Sequence, residues 1–326
     1  MMNWKLISIL SILVLSSCLK EDEKLPPHNP GDTNIVTISI GFPYENQVFY
    51  DCETNQILSS NSKFDWDLAF ESEGNHIKLN IANAMFASNE GNVDFNSVNS
   101  TANAVWLWDN ANGNLDSLAL NDWINTQNVY SNNVYIIDRS YDNDGVHLGY
   151  YKVQFLSVNA NSFTFKYAKL DGSEANEFTI IKNANTNFTY FSFKNGGKTV
   201  NIEPNKEIWD LEFTNLQHYF SNLPLPFVLT QCISNRYQNV KVAEGNDGNF
   251  ANITLPDTIN FQFTSYQDEI GHDWKIRNSQ DNSFEIDPNK YFIVQTKIGY
   301  FYKIRFIDFY NEFGIKGYPK FEIQKL

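Results

Sequence analysis

The fold is decided by a stretch that the chain carries twice, first as Phe64-Asp65-Trp66-Asp67-Leu68-Ala69-Phe70 and again as Glu207-Ile208-Trp209-Asp210-Leu211-Glu212-Phe213. In a strand, the Trp, Leu and Phe at alternate positions lie on one face, because successive side chains point to opposite sides. The pattern predicts a core strand with a large aromatic anchor, whose Asp points to the other face or bonds a nearby turn. We therefore interpret Trp66, Asp67, Trp209 and Asp210 as structural residues.

Two further blocks repeat in the same order. Asp122-Trp123 returns as Asp273-Trp274, and Tyr151-Lys152-Val153-Gln154-Phe155 returns as Tyr302-Lys303-Ile304-Arg305-Phe306. We interpret Trp123 and Trp274 as structural residues too. Self-similarity of this kind indicates duplication. We predict two tandem domains, at 35–182 and 183–326, that meet in a polar stretch at 182–187.

Alternation of apolar and polar residues runs through most of the chain, for example at 35–40, 150–155, 162–167 and 301–306. This period of two, rich in Tyr, Phe, Val and Ile, is typical of half-buried strands. Clusters of Asn, Asp and Gly separate the runs and favour turns. The predicted fold class is all-β, two antiparallel β-sheet domains with few or no helices beyond a signal peptide. One short helix is expected at 115–125.

Composition narrows the class of protein. The 326 residues carry a formal net charge of −14, and aromatic residues make up 15% of the chain. So many apolar and aromatic side chains argue against disorder. The negative charge disfavours nucleic-acid binding. With five His and three Cys, the chain holds no Cys-rich zinc module.

The N-terminus reads as a lipoprotein signal peptide at 1–17, because Lys5 precedes an apolar run too short to span a bilayer. The run ends in Leu15-Ser16-Ser17-Cys18, which resembles a bacterial lipobox with Cys18 as the lipidation site. Residues 18–34 are charged and Pro-rich, as in a flexible tether. Their acidic start resembles the surface-export signal of Bacteroidota lipoproteins, with a plain solvated linker as the alternative. Acyl chains would be the membrane anchor.

Two cysteines, Cys52 and Cys232, follow the signal region. An oxidising compartment would permit a disulfide between them, and two buried thiols are the alternative.

The last part of the chain resembles the HmuY family of Bacteroidota lipoproteins. The resemblance is carried by 288–294, by Gly299-Tyr300-Phe301-Tyr302-Lys303-Ile304-Arg305-Phe306 and by the closing Phe309-Tyr310 and Gly317-Tyr318. The Trp-Asp-Leu-Ala-Phe block, and Tyr190-Phe191-Ser192-Phe193 ahead of Trp209, extend the resemblance to most of both halves.

This resemblance implies an antiparallel β protein that captures heme outside the cell and passes it to a TonB-dependent outer-membrane receptor. Family members that bind heme clamp its iron between His or Met side chains on loops, and both are good axial donors. Here the segments after Trp123 and Trp274 contain neither His nor Met, and neither do 90–120 and 235–270. The family's ligands therefore cannot be carried over to this chain.

The remaining candidates for heme ligands are His218, His272 and His76. His76 lies ten residues after Trp66 and His218 nine after Trp209, so the two are near-equivalent in the repeat. Two edge histidines are the alternative interpretation. His272 precedes Asp273-Trp274 in a predicted loop. No metal other than heme iron is expected.

No nucleophile elbow, P-loop or zinc-protease motif is present in the sequence, so we predict a binding protein and not an enzyme. Its expected place is the outer membrane, exposed on the cell surface, in iron acquisition with heme or a related porphyrin as ligand. The alternative is a tandem β lipoprotein without heme ligation, which acts as a glycan-binding or receptor-accessory surface protein.

Overall fold

The computed structural model describes residues 30–326. The predicted signal peptide at 1–17, the lipidation site Cys18 and the tether up to residue 29 lie outside the described residues. In the described part, no helix is long and apolar enough to cross a membrane. The backbone N–H of Gly31 donates to the carbonyl of Lys325 at 3.0 Å, so the last residues of the predicted tether lie against the final strand.

The all-β prediction is confirmed, and the alternating segments form strands. The strands are β1 Asn34–Thr37, β2 Asn46–Asp51, β3 Gln56–Ser62, β4 Leu68–Glu71, β5 Ile77–Leu79, β6 Phe86–Asn89, β7 Val134–Asp138, β8 Tyr150–Val158, β9 Ser162–Lys169, β10 Asn176–Ile181, β11 Phe188–Ser192, β12 Lys198–Val200, β13 Leu211–His218, β14 Phe227–Ser234, β15 Lys241–Asn246, β16 Lys275–Arg277, β17 Phe284–Ile286, β18 Lys290–Gln295, β19 Phe301–Tyr310 and β20 Lys316–Lys325.

Helical structure in residues 30–326 is limited to short 3-10 segments. They are Ile81–Asn83, Phe95–Ser97, Leu115–Ser117, Lys194–Gly196, Arg236–Gln238, Phe250–Asn252 and Leu255–Asn260. The prediction of a helix at 115–125 is therefore wrong beyond the first turn. The Asn114 side chain caps that turn by accepting from the backbone of Asp116, and the chain is already extended at Leu118.

Four larger sheets and one two-stranded ribbon make up the fold, and all strand pairs are antiparallel. The two five-stranded sheets have the orders β10-β9-β8-β7-β6 and β1-β20-β19-β18-β15. The two four-stranded sheets have the orders β12-β11-β4-β5 and β14-β13-β2-β3, and β16 pairs with β17. The four larger sheets thus form two pairs of equal size.

Strands cross between the two predicted halves in both directions. β1 and β2, from the start of the chain, pair with β20 and β13 of the second half. In return, β11 pairs with β4 of the first half. The register places Phe49 opposite Glu212 and Tyr190 opposite Ala69, at equivalent positions of the repeated block. The domain division at 182/183 stays a prediction, but hydrogen bonds join the two segments across it.

Three apolar clusters follow this arrangement. One fills the first half around Phe70 and Phe165, and a second fills the other half around Phe213 and Phe321. Between them lies a smaller cluster that contains both Trp66 and Trp209. Large aromatic side chains contribute most of this burial, on the order of 1.5–3 kcal/mol for each fully buried ring.

The two Trp residues differ from the prediction in one respect. Leu68 and Leu211 belong to the cores of their own halves, whereas Trp66 and Trp209 lie in the central cluster. The strands begin at the Leu residues, so the alternation that would place Trp, Leu and Phe on one face does not reach back to the Trp. The Trp residues instead join the two halves.

Asp67 and Asp210 connect each half to the strand that enters from the other. A carboxylate oxygen of Asp67 accepts from the backbone of Phe193 at 2.7 Å, and one of Asp210 accepts from the backbone of Cys52 at 2.9 Å. Asp67 also pairs with the buried Arg139 guanidinium at 2.8 Å. The Asp side chains thus bond segments remote in sequence, and not the nearby turn that the sequence predicted.

The other repeated residues are also buried in equivalent ways. Trp123 and Trp274 lie in the first and second core. The Lys152 ammonium donates to the carbonyl of Val98 at 2.9 Å, and Lys303 donates to the carbonyl of Phe250 at 3.0 Å. A buried ammonium needs such acceptors, because burial without them is costly.

Cys52 and Cys232 are free and buried, both in the core of the second half. Of the two alternatives, a disulfide or two buried thiols, the structure therefore has the buried thiols. Burial raises the pKa of both thiols well above the ordinary value, which keeps them protonated and unreactive.

Candidate functional site

The two hairpins that follow the repeated block differ in length. Asp67 and Asn80 bracket the first hairpin over 13 residues, whereas Asp210 and Asn235 bracket the second over 25. The ends are equivalent, because the Asn80 amide donates to the carbonyl of Trp66 and the Asn235 amide donates to that of Trp209. We call β13, β14 and their connection, residues 211–234, the arm.

The far end of the arm exposes apolar side chains. Tyr219, Leu225 and Phe227 are each about half exposed, at 50%, 55% and 51%. Clusters of exposed apolar side chains mark binding sites on many proteins. The arm therefore carries exposed apolar side chains at its end, which the short hairpin β4–β5 lacks.

Beneath the arm lies a cleft of about 760 Å³. Its walls are mostly apolar, with cationic side chains among them. The lining residues are Pro43, Tyr44, Lys63, Asn215, Phe220, Leu223, Phe227, Val228, Leu229, Thr230, His272, Asp273, Lys275, Ile276, Arg277 and Phe284. The volume falls within the range of about 300–1,000 Å³ that is typical of small-molecule sites. We refer to this space as the arm cleft.

Backbone pairing and Lys275 hold the floor of the cleft against the arm. Gly271 and Cys232 exchange two backbone hydrogen bonds of 3.0 Å, which fixes the loop before His272 beside β14. The Lys275 ammonium donates to the carbonyls of Thr230 and His272, at 2.8 and 3.2 Å. Burial lowers the pKa of Lys275 to about 7.

The structure brings together two of the three histidines that the sequence analysis singled out. The rings of His218 and His272 lie with their centroids 4.4 Å apart, and the ring of Phe220 contacts both. Burial first, and then the neighbouring His218, lower the pKa of His272 to about 4. At neutral pH, His272 is therefore an uncharged imidazole, the form that binds metals.

The third candidate, His76, lies apart from this pair, at the end of the short hairpin. Its Nδ1 pairs with a carboxylate oxygen of Glu71 at 2.6 Å, and that hydrogen bond raises the pKa of His76. His76 is not among the residues that line the arm cleft. The near-equivalence of His76 and His218 in the repeat thus does not give them equivalent surroundings.

Lys63 and Arg277 place positive charge at the cleft. Lys63 is buried against the ring of Phe64, with its Nζ 4.9 Å from the ring centroid, and burial lowers its pKa. The exposed Arg277 guanidinium contacts the side-chain oxygen of Asn282. Cations beside apolar walls suit a flat apolar ligand that carries acidic groups.

A smaller acidic pocket of about 250 Å³ adjoins the cleft behind the histidine pair. It is lined by His218, Gln231, Glu244, Asp268, Glu269, Gly271, His272 and Asp273. Burial raises the pKa of Asp268 and Glu269. No group of three or more His, Cys, Asp or Glu side chains that could hold a metal ion is found within residues 30–326.

Several residues of the cleft were missed at the sequence level, among them Phe220, Phe227, Lys63 and Arg277. A signal for the arm was present, because the second hairpin carries twelve more residues than the first and its Leu223-Pro224-Leu225-Pro226-Phe227 run does not alternate. Lys63 is remote from the arm in sequence, and nothing local predicts that it lines the same cleft.

Comparison with known proteins gives one family match. Residues 228–323 match the HmuY family, described as HmuY protein. The predicted resemblance is therefore confirmed over this segment, which contains His272, one strand of the arm and β15 to β19. No curated protein matches the chain.

Three solved structures show distant similarity. The Tannerella forsythia apo HmuY analog is 10% identical, with 91% of this chain and 97% of that chain covered and a TM-score of 0.34. Apo PinO from Porphyromonas gingivitis is also 10% identical, with 90% and 97% covered and a TM-score of 0.30. A putative HmuY-like heme-binding protein from Bacteroides vulgatus is 14% identical, with 53% and 90% covered and a TM-score of 0.24.

Proposed function

We propose that this chain is a lipid-anchored extracytoplasmic binding protein that captures heme or a related porphyrin in the arm cleft. The observation that carries the proposal is a largely apolar cleft of about 760 Å³ with the uncharged imidazole of His272 in its wall. His272 itself lies within the segment that matches the HmuY family. His272 and His218 are the heme-ligand candidates that remain, and His76 is set aside because it pairs with Glu71.

The chemistry of the cleft suits a porphyrin. Phe220, Phe227 and Phe284 offer apolar surface for the macrocycle. Lys63 and Arg277 offer cations for its carboxylates, which charged hydrogen bonds hold better than neutral ones. An imidazole is a good axial donor for the iron. Heme is the cargo in this account, and no catalytic step is assigned to the protein.

The proposed cellular role rests on the lipidation site Cys18 and on the open end of the arm. Lipidation at Cys18 would hold the protein at the outer membrane, on the cell surface. The ligand would then pass to a TonB-dependent receptor in iron acquisition. The open, apolar end of the arm favours such a transfer, because a ligand that is partly exposed can contact a receptor before it leaves.

Hemin titration of the purified protein, followed by visible absorption, tests the proposal. We expect a saturable, sharpened Soret band that Phe227→Ser weakens by about tenfold or more, since this ring lines the cleft. Phe313→Ser is the matched control, because Phe313 is 78% exposed and lies outside the cleft. A spectrum no different from that of a control protein would reject porphyrin binding and favour the glycan-binding or receptor-accessory alternative.

A further inference from the structure

The two paired histidines have different positions relative to the cleft. His272 lines both the arm cleft and the acidic pocket behind it, whereas His218 lines only the acidic pocket. Among the residues that line the cleft, all of them in the described part of the chain, His272 is the only His, Met or Cys. A ligand in the cleft therefore meets one imidazole, and the second lies behind the first.

The separation of the rings also bears on how they could hold an iron atom. Two imidazoles on opposite faces of a heme would have ring centroids about 6 Å apart, since each bond from metal to nitrogen is about 2 Å long. The centroids of His218 and His272 are 4.4 Å apart. That distance is direct contact between rings, with no room for a macrocycle between them.

Neighbouring groups hold the pair in this arrangement. Phe220 packs on His218 and His272, with centroid distances of 4.7 and 5.9 Å. His272 is further fixed by Lys275, which bonds its carbonyl. Moving the His218 ring to the far side of a bound ligand would require Phe220 to leave both rings.

Four residues that line the cleft carry side-chain oxygens, and three of these residues already have partners: Thr230 Oγ1 donates to Asn215 Oδ1 at 3.1 Å, and the Asp273 carboxylate pairs with Lys290. The fourth is Tyr44, and burial raises the pKa of its phenol to about 12. A phenol that stays protonated is a poor iron ligand. The cleft thus presents an axial donor from one side.

On the basis of the proposed function, we propose that His272 ligates heme from one side. His218 is a positioning residue behind His272. The second axial position is left to water or a small exogenous ligand. The cleft would therefore bind iron porphyrins whose second axial ligand can exchange. Such a protein differs from one that clamps iron between two side chains.

The test compares wild type, His218→Ala and His272→Ala as ferric heme complexes, by visible absorption and electron paramagnetic resonance. We expect a high-spin wild type whose second axial site binds added cyanide. His272→Ala should lose the Soret shift and regain it with added imidazole. His218→Ala should keep the high-spin spectrum with about tenfold weaker hemin binding, as for loss of an outer-shell partner.

A parallel titration with metal-free protoporphyrin separates this inference from the proposed function. Equal protoporphyrin binding by all three proteins would show that the cleft is intact and that only iron ligation changes. A low-spin wild type that becomes high-spin in both variants would overturn one-sided ligation and leave porphyrin capture standing. Failure of wild type to bind either hemin or protoporphyrin would overturn both.

Discussion

The short hairpin β4–β5 and the arm begin from the same repeated block, yet the cleft of about 760 Å³ lies at the arm. In the short hairpin, a short turn joins β4 to β5, and the His76–Glu71 pair lies at this turn. The arm continues for twelve more residues, exposes apolar side chains and places His218 against His272. The comparison teaches that equivalent scaffolds can differ in function by the length of one hairpin, because the paired strands below it are fixed by the same Asp and Asn contacts.

The largest expected effect concerns the two repeated Asp residues. Asp67→Ala removes one partner of a buried ion pair and leaves Arg139 without it, which should cost about 3–5 kcal/mol of unfolding free energy. Asp210→Ala removes the carboxylate that accepts from the backbone N–H of Cys52, but it leaves no Arg unpaired. This change should cost about 1–2 kcal/mol of unfolding free energy. Urea denaturation of both variants measures the difference. Equal losses would show that the two halves do not differ in this way.

Shortening the arm should weaken ligand binding strongly without unfolding the protein. His218 and Phe227 are opposite each other, so a two-residue Asn-Gly turn can replace residues 219–226. We expect hemin affinity to fall by about a hundredfold, or roughly 2.7 kcal/mol, because Phe220 and Leu223 are removed from the cleft. The thermal midpoint should hardly change. Unaltered hemin affinity in the shortened protein would separate the arm from the binding site.

Stability should depend on pH through carboxyl groups buried near the repeated blocks. Burial raises the pKa of Glu203, Asp210 and Glu212 to about 7 and that of Asp109 to about 6. The folded state therefore keeps protons that the unfolded state releases above about pH 4.5. The stability they contribute is present below that pH and is lost as the pH rises through 6 to 7.

We accordingly expect the thermal midpoint to be higher at pH 5.5 than at pH 8. The unfolding free energy should be larger at pH 5.5 by on the order of 1–3 kcal/mol for each strongly shifted group. Glu212→Gln should reduce this difference, since the amide needs no proton and can still accept from Gln47. Ala69 takes the place of Glu212 in the first copy of the block. A midpoint that rises steadily from pH 5.5 to pH 8 would contradict this account.

The smallest effect is expected at the end of the short hairpin. His76→Ala should cost less than about 1 kcal/mol, because the His76–Glu71 pair is partly exposed. The hydrogen bond that His76 donates to Glu71 raises the pKa of His76, so this contribution is present below about pH 6.5 and is lost at higher pH. Hemin binding should not change. A loss of hemin binding in His76→Ala would give the short hairpin a role in the site.

Much of the fold was predictable from local pattern. The alternation at 150–155 and 301–306 predicted β8 and β19, and the repeated Asp-Trp block singled out Trp123 and Trp274, which are buried in the first and the second core. The exchange of strands between halves was not predictable, because a period of two shows which face of a strand is buried but not which strand it pairs with. The central position of Trp66 follows from that exchange.

The candidate site was predictable in part. His218 and His272 were both singled out by residue type, but they are 54 residues apart in sequence and nothing local predicts that their rings meet. Pairing of the loop before His272 with β14 brings them together. The apolar arm escaped prediction, because the spacing of Phe220, Leu223 and Phe227 fits one face of a helix, whereas Pro224 and Pro226 exclude a helix there.

The most direct test of the central claim is a hemin titration of wild type, His272→Ala and His76→Ala in parallel, read from the Soret band. We predict saturable binding with a sharpened band in wild type and His76→Ala, and loss of that band in His272→Ala. An absent band in wild type, or a band that survives in His272→Ala, would contradict the claim that the arm cleft binds heme through His272.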